Sequence, residues 1–179
     1  KLSKNKLLTT IAFKIFNKKM YCFEGSIFVA GSAFQWLRDK LNFFKHPSET
    51  EKLYHLSNDN ELVTFIPALT GLGAPHWNST VRGAIFGLTR NTGIPDIVKA
   101  TIQSIAFQTF DLVQCMTKDS KSQINEMRID GGMAKNKSFV QFLSNILQIN
   151  IIRSKNIEST ALGAAYLAGL SIGIIKNTN

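Results

Sequence analysis

Cysteine is scarce in this sequence, which has only Cys22 and Cys115 among its 179 residues. Two cysteines cannot build the disulfide framework that holds small secreted domains together. Neither lies in a CxxC pair or near a histidine at the spacing of metal ligands, so we expect no metal site in this chain. The chain is therefore expected to be a cytoplasmic protein that depends on a hydrophobic core.

Acidic residues are also few, with 12 Asp and Glu against 21 Lys and Arg and a formal charge of +9. Six lysines precede the first acid, Glu24, whereas the two signs are nearly balanced and mixed over residues 20–179. A nucleic-acid-binding surface would concentrate its basic residues on one face. We expect no nucleic-acid partner, because an RNA-binding module would be supported only by total charge and phenylalanine content.

No apolar run is suited to crossing a membrane. The uncharged stretch Ser159–Ile175 has 17 residues and is rich in Gly and Ala, which is short of the roughly 20 apolar residues that a span needs. We interpret it as a packed helix of a soluble domain. The remaining composition, 44% apolar and 18% charged, excludes a disordered tail.

The patterning of apolar residues predicts an α/β fold with a mixed or partly parallel sheet flanked by helices. We treat residues 1–179 as a single domain, with an opening hairpin at about 8–24 and an α/β core at about 25–175. It is expected to be incomplete, because it begins with Lys and not Met. The predicted core elements are a helix capped by Ser26 and ending near Asn42, a short helix after Ser48, strand 62–67, a strand through Phe86, a long helix after Gly93, strand 127–130, a helix ending at Leu147, strand 149–154 and helix 159–173.

The junction Asp130-Gly131-Gly132 lies between a predicted strand and a predicted helix. Ligands of open α/β sheets gather at the carboxyl ends of strands, where glycines let the backbone approach them closely. The alternative is that the glycines only form a tight turn and Asn136 caps the helix. Neither GxGxxG nor a P-loop pattern is present.

Gly31 and Gln35 are one helical turn apart, and Gly132 and Asn136 repeat that spacing. A glycine inside a helix costs about 1 kcal/mol relative to alanine, so it indicates either a close helix contact or room for a ligand. Close packing explains each pair taken alone. Together, two pairs of a glycine and an amide have the composition to hold a planar base from opposite sides.

Other candidates for chemistry are weaker. Three scattered histidines and three aspartates on separate elements form no paired-carboxylate, Ser/His/Asp or Cys/His constellation. They are His46, His55, His76, Asp39, Asp111 and Asp130. The small residues of the helix from Thr160 allow either hinge motion or tight static packing, and spacing does not choose between them.

Seven segments, read in order, resemble the carboxy-terminal domain of the FGGY carbohydrate kinase family. They are LLTTIA at Leu7–Ala12, EGSIFVAG at Glu24–Gly31, QWLRD at Gln35–Asp39, PALTGLGAP at Pro67–Pro75, RGAIFGLTR at Arg82–Arg90, Asp130–Gly132 and TALGAAY at Thr160–Tyr166. The resemblance covers nearly all of residues 7–173. It implies an actin-like architecture of two RNase-H-like domains, of which this chain is the second.

The resemblance also implies a function and a site. ATP and Mg²⁺ would meet a polyol in the cleft between the domains, and the loop with Trp77 favours glycerol, phosphorylated to glycerol 3-phosphate. Gly31, Gln35, Gly132 and Asn136 fall on positions that hold the adenosine end of ATP. Lys137, His76 and Phe110 depart from the family's usual residues, and none of these departures removes the adenine contacts.

Several expectations follow from what the resemblance leaves outside this sequence. The other domain, with its phosphate loop, polyol contacts and aspartate base, lies outside this sequence, and so does a second, Gly-Thr phosphate loop that should precede Lys1. Mg²⁺ would be bound mainly through ATP and the missing domain. We therefore expect no catalytic residue in this chain, which alone is expected to be inactive. That domain is either part of a longer protein, which is expected to be a homo-oligomer, or a separately encoded partner. The alternatives are another FGGY polyol or sugar kinase, and a non-catalytic remnant that binds nucleotide.

Overall fold

A computed structural model describes residues 2–15, 17–58, 62–155 and 158–176. The chain opens with an antiparallel hairpin of β1 (Leu8–Ile15) and β2 (Lys18–Glu24), as predicted. The half-burial expected of β1 is wrong, since Ile11 and Phe13 are 52% and 41% exposed. The register shifts between these two residues, so their side chains no longer share the face that strict alternation would give them.

Helix α1 spans Gly31–Asp39 and buries Ala33, Phe34 and Leu37. The predicted start after Ser26 is wrong. The Ser26 carbonyl accepts a hydrogen bond from the Ala74 amide at 2.9 Å, so a distant loop binds the group that a helix would have used internally. The short helix expected after Ser48 is present as α2, Glu49–Leu56.

Strands β3 (Thr64–Ile66) and β4 (Ala84–Phe86) pair antiparallel. The long helix predicted after Gly93 is α3, Ile94–Ser120. Asp96 Oδ2 accepts from the Gly93 amide at 2.8 Å, which satisfies one of the donors left unpaired where a helix begins. Helix α3 contacts α1, α2, α4 and β3, so it is covered on more than one side.

The last third alternates strand and helix as predicted. Its elements are β5 (Glu126–Ile129), a 3₁₀ turn (Gly132–Lys135), α4 (Lys137–Leu147), β6 (Asn150–Arg153) and α5 (Ser159–Ser171). β5 and β6 are parallel, with Glu126 opposite Asn150 and Ile129 opposite Arg153. The 3₁₀ turn and the start of α4 therefore follow the carboxyl end of β5.

The predicted α/β class is confirmed. Parallel and antiparallel pairing both occur, but in different sheets and not within a single mixed sheet. The described strands form three two-stranded sheets, of which β1–β2 and β3–β4 are antiparallel and β5–β6 is parallel. Helix α3 contacts β3 and also α4, and α4 contacts β6. Two of the small sheets thus pack through helices and not through shared strands.

The largest core cluster joins α1, α3 and α4. Its buried members are Phe34, Leu37, Phe44, Val98, Ile102, Ile105, Ala106, Phe139 and Leu143.

Helix α5 takes no part in this core, because none of its residues is buried. The packed helix expected over Ser159–Ile175 is therefore wrong within the described chain. Two of its leucines are largely exposed to solvent, Leu162 at 54% and Leu167 at 46%. Among the described helices, none is long and apolar enough to cross a membrane.

Candidate functional site

A cavity of about 440 Å³ lies where α1, α2 and the 3₁₀ turn begin. Its volume is within the range of small-molecule sites, about 300–1,000 Å³. The lining residues are Gly31, Phe34, Gln35, Arg38, Phe44, Pro47, Ser48, Thr50, Glu51, Gly132, Met133, Lys135 and Asn136. All four residues that the sequence singled out therefore line one cavity, although about a hundred positions separate the two pairs.

The two glycines of these pairs do not serve close packing with the described chain. A Cβ placed at Gly31 or at Gly132 would have no other described heavy atom within 4 Å. At Gly73, by contrast, the same Cβ would lie 2.0 Å from the Ser26 carbonyl oxygen. Packing thus explains Gly73 but not the cavity glycines, and a side chain at either would extend into unfilled space.

The alternative interpretation, a tight turn followed by a helix cap, accounts for Gly131 and Asn136. Gly131 has a φ of +79°, in the left-handed region that favours glycine. Asn136 caps α4, because its Oδ1 accepts from the Phe139 amide at 2.8 Å. Gly132 remains unexplained by the turn, since it lies in the 3₁₀ segment that follows.

The two amide side chains of the site differ in their surroundings. Gln35 is exposed, and its side chain makes no hydrogen bond to another described residue, so its side-chain amide is available to a ligand. Asn136 is half-buried, and besides capping α4 it donates from Nδ2 to Thr50 Oγ1 at 3.1 Å. Thr50 is 4% exposed and donates in turn to the Pro47 carbonyl at 2.6 Å.

The cavity has an apolar side that residue spacing did not indicate. Phe34 and Phe44 line it and are 8% and 6% exposed. Phe34 lies within the predicted first helix, whereas no sequence pattern singled out Phe44 or Thr50. Aromatic walls beside a few placed polar groups suit a flat, partly apolar ligand.

Charges at the cavity largely balance. Arg38 pairs with its neighbour Asp39, with Nε to Oδ1 at 2.6 Å, and this hydrogen bond raises the pKa of Arg38 and lowers that of Asp39. The other charged lining residues are Lys135 and Glu51, of opposite sign. A cavity so nearly neutral is better suited to an uncharged ring than to a polyphosphate.

The loop before α2 forms part of the wall and is fixed by one carboxylate. Glu49 Oε1 accepts from the amides of His46 at 2.6 Å and Lys45 at 3.0 Å. The bond from His46 is the largest influence on Glu49, and it lowers the pKa of that carboxyl. The loop residues Pro47 and Ser48 are thereby held at the cavity.

Across the described ranges, no group of three or more His, Cys, Asp or Glu side chains is arranged to hold a metal ion. The histidines occupy separate surroundings: His55 Nε2 lies 3.1 Å from Ser138 Oγ, and His76 Nε2 lies 3.8 Å from Asp111. Trp77 is 41% exposed, and its Nε1 donates to the Lys6 carbonyl at 2.6 Å, which connects its loop to the start of the chain.

Comparison with known proteins places this geometry in a family. Residues 2–172 match the FGGY family of carbohydrate kinases, C-terminal domain. The chain is 52% identical over 176 residues to the glycerol kinase of Streptococcus pneumoniae (strain Hungary19A-6), covering 98% of this chain and 35% of that protein. The chain thus spans about a third of the length of the relatives that it matches.

Similarity to solved structures supports the same family. The crystal structure of Plasmodium falciparum glycerol kinase with ADP is similar at a TM-score of 0.85 and 42% identity, over 98% of this chain and 35% of that one. The gluconate kinase of Lactobacillus acidophilus is similar at a TM-score of 0.79 and 25% identity, over 99% of this chain and 36% of that one. The chain therefore belongs to the FGGY family of carbohydrate kinases and corresponds to its C-terminal domain.

Proposed function

We propose that this chain binds the adenosine end of ATP as part of a glycerol kinase, an enzyme that phosphorylates glycerol to glycerol 3-phosphate. One observation carries the proposal: Gly31 with Gln35 and Gly132 with Asn136 line a single cavity. Both glycines present open space, and aromatic side chains provide an apolar wall.

Sequence identity to the relatives favours glycerol as the phosphoryl acceptor. Identity reaches 52% with the Streptococcus pneumoniae glycerol kinase and 42% with the Plasmodium falciparum one, against 25% with a gluconate kinase. The Plasmodium enzyme was crystallised with ADP, which supports nucleotide as the ligand. A kinase for another polyol or sugar is the alternative within the family.

In the proposed mechanism this chain positions the nucleotide and does not supply the reacting groups. Phosphoryl transfer depends mainly on alignment of the reactants and neutralisation of charge. The cavity would hold the adenine ring against Phe34 and Phe44, with the Gln35 and Asn136 amides at the ring's polar edges. Mg²⁺ would be held mainly by the ATP phosphates and by the domain outside this sequence, and there it would neutralise phosphate charge. The described residues of this chain include no cluster of metal ligands.

Titration of the 179-residue chain with ADP by calorimetry tests the nucleotide site. We expect saturable binding of ADP that adenosine inhibits competitively, because the contacts are to the adenosine end. Gly31→Leu and Gly132→Val should weaken binding by at least about tenfold, since each fills part of the cavity, while the far-ultraviolet circular dichroism stays unchanged. Equal affinity of both variants and the parent chain would refute the proposed site.

Activity assays test the enzyme itself. The chain with ATP, Mg²⁺ and glycerol should give no glycerol 3-phosphate, whereas addition of the amino-terminal domain of a close glycerol kinase relative should restore turnover. Glycerol should be preferred over xylulose and gluconate in that mixture. Turnover by the chain alone would refute its assignment as a nucleotide half-site, and binding of ADP without restored turnover would favour the non-catalytic remnant.

A further inference from the structure

The hydroxyl of Thr50 lies at the junction of two walls of the cavity. Thr50 is on the first turn of α2, is 4% exposed and lines the cavity together with Asn136. Its Oγ1 donates its only proton to the Pro47 carbonyl at 2.6 Å and accepts from Asn136 Nδ2 at 3.1 Å. Because that proton is already used, Thr50 has none left to donate to a ligand.

The Asn136 amide is held at both of its ends. Oδ1 accepts from the Phe139 amide at 2.8 Å, and Nδ2 donates to Thr50. The bond to the Phe139 amide alone would allow the side-chain amide to rotate about its oxygen. The bond to Thr50 fixes the orientation of the amide plane. One N–H of Nδ2 and one lone pair of Oδ1 then remain for a ligand.

We propose that Thr50 is a positioning residue for nucleotide: by accepting from Asn136 Nδ2, it orients the remaining N–H of that amide for the base. The proposal rests on the adenosine site proposed above and adds to it a residue that touches no reacting atom. Removing the Thr50 hydroxyl should therefore weaken ADP binding through Asn136, and the accompanying loss of its bond to the Pro47 carbonyl should add nothing to that effect.

A second hydrogen bond between the same two helices provides a matched control. Ser138, on α4, lies 3.1 Å from His55 Nε2 on α2, and neither residue lines the cavity. If Thr50 merely held α2 against α4, loss of the Ser138 hydroxyl would affect ADP binding similarly. If Thr50 acts on the Asn136 amide, only the Thr50 variant should do so.

The experiment measures the ADP affinity of the 179-residue chain in four single variants and one double variant. Thr50→Val should weaken binding about fivefold, the worth of one neutral hydrogen bond. Thr50→Ser, which keeps the hydroxyl, should restore most of that loss, and Ser138→Ala should leave affinity unchanged. In an Asn136→Ala background, Thr50→Val should add no further loss, because the amide on which it acts is gone.

A second measurement needs no nucleotide. In ¹⁵N–¹H spectra, the Asn136 side-chain amide should show one proton shifted and protected from exchange, and Thr50→Val should abolish both effects while Ser138→Ala preserves them. An unperturbed amide signal in Thr50→Val refutes the inference even if ADP fails to bind. Failure of the parent chain to bind ADP refutes the proposed function instead, and a Thr50→Val loss that persists in the Asn136→Ala background refutes the inference alone.

Discussion

The Asp119 carboxylate accepts a hydrogen bond from Asn5 Nδ2 at 2.8 Å, across 114 positions of the chain. The same carboxylate accepts from Ser3 Oγ and from the amides of Lys4 and Asn5. Asp119 lies near the end of α3 and is 6% exposed. One buried charge thus ties the start of the chain to the longest helix.

This arrangement predicts a stability that depends on pH. Burial by itself raises the pKa of Asp119, but the hydrogen bonds from Ser3, Lys4 and Asn5 together outweigh it and lower that pKa from 3.8 to about 2. A carboxyl with a depressed folded-state pKa contributes stability that is present above its unfolded pKa and is lost as pH falls toward the folded value.

Urea unfolding of the parent chain and Asp119→Asn should therefore differ most at pH 5 to 7, and the difference should shrink between about pH 4 and pH 2. Ser3→Ala removes one donor and should show a smaller effect of the same sign. A difference that stays constant over this pH range would contradict the role assigned to the ionised carboxylate.

Two alanine substitutions should separate glycines that packing requires from glycines that it does not. At Gly31 the new Cβ meets no described atom within 4 Å, so Gly31→Ala should change the free energy of unfolding by less than about 0.5 kcal/mol or increase it. At Gly73 the Cβ would lie 2.0 Å from a backbone oxygen, and Gly73→Ala should cost at least about 1 kcal/mol. Urea titration measures both, and equal losses would contradict the distinction.

The cap of α4 predicts an ordered pair of variants at Asn136. Asn136→Ala removes the oxygen that accepts from the Phe139 amide and should lower the free energy of unfolding by about 1 kcal/mol. Asn136→Asp keeps an acceptor at the start of the helix and should retain more stability than alanine, although it loses the donor to Thr50. The opposite order in thermal unfolding would contradict the role of the Asn136 side-chain oxygen as the cap of α4.

The exposure of α5 predicts that its apolar side chains add little stability to this chain. Leu162 is 54% exposed, so Leu162→Gln should change the free energy of unfolding by no more than about 0.5 kcal/mol. Leu143, 1% exposed in the main core, is the control, and Leu143→Ala should cost about 2 to 5 kcal/mol. A large loss for Leu162→Gln would mean that α5 is buried in solution.

Sequence patterns predicted the elements best where local periodicity and packing agree. Helix α3 runs from Ile94 to Ser120, where apolar residues recur along two stripes. The predicted helix around Ile27 begins instead at Gly31, because Ala74 binds the Ser26 carbonyl. No local pattern reports a hydrogen bond made by a loop 48 residues away.

In the candidate site, too, some residues could be predicted from local sequence and others could not. Repeated spacing drew attention to Gly31 with Gln35 and to Gly132 with Asn136, and all four line the cavity. Thr50 could not be found in this way, because its part in the site depends on α2 lying against the start of α4. Phe44 has no periodicity of its own, since it lies in the loop between two helices.

By itself, the amino-acid sequence determined the α/β class, the order of the elements and the two pairs of glycine and amide, because apolar periodicity and residue spacing are local properties of the chain. Tertiary structure alone decided that the two pairs share one cavity, that a side chain at Gly31 or Gly132 would extend into open space and that Thr50 holds the Asn136 amide. Those facts depend on contacts between segments far apart in the chain, and such contacts are formed only when helices α1, α2 and α4 pack together.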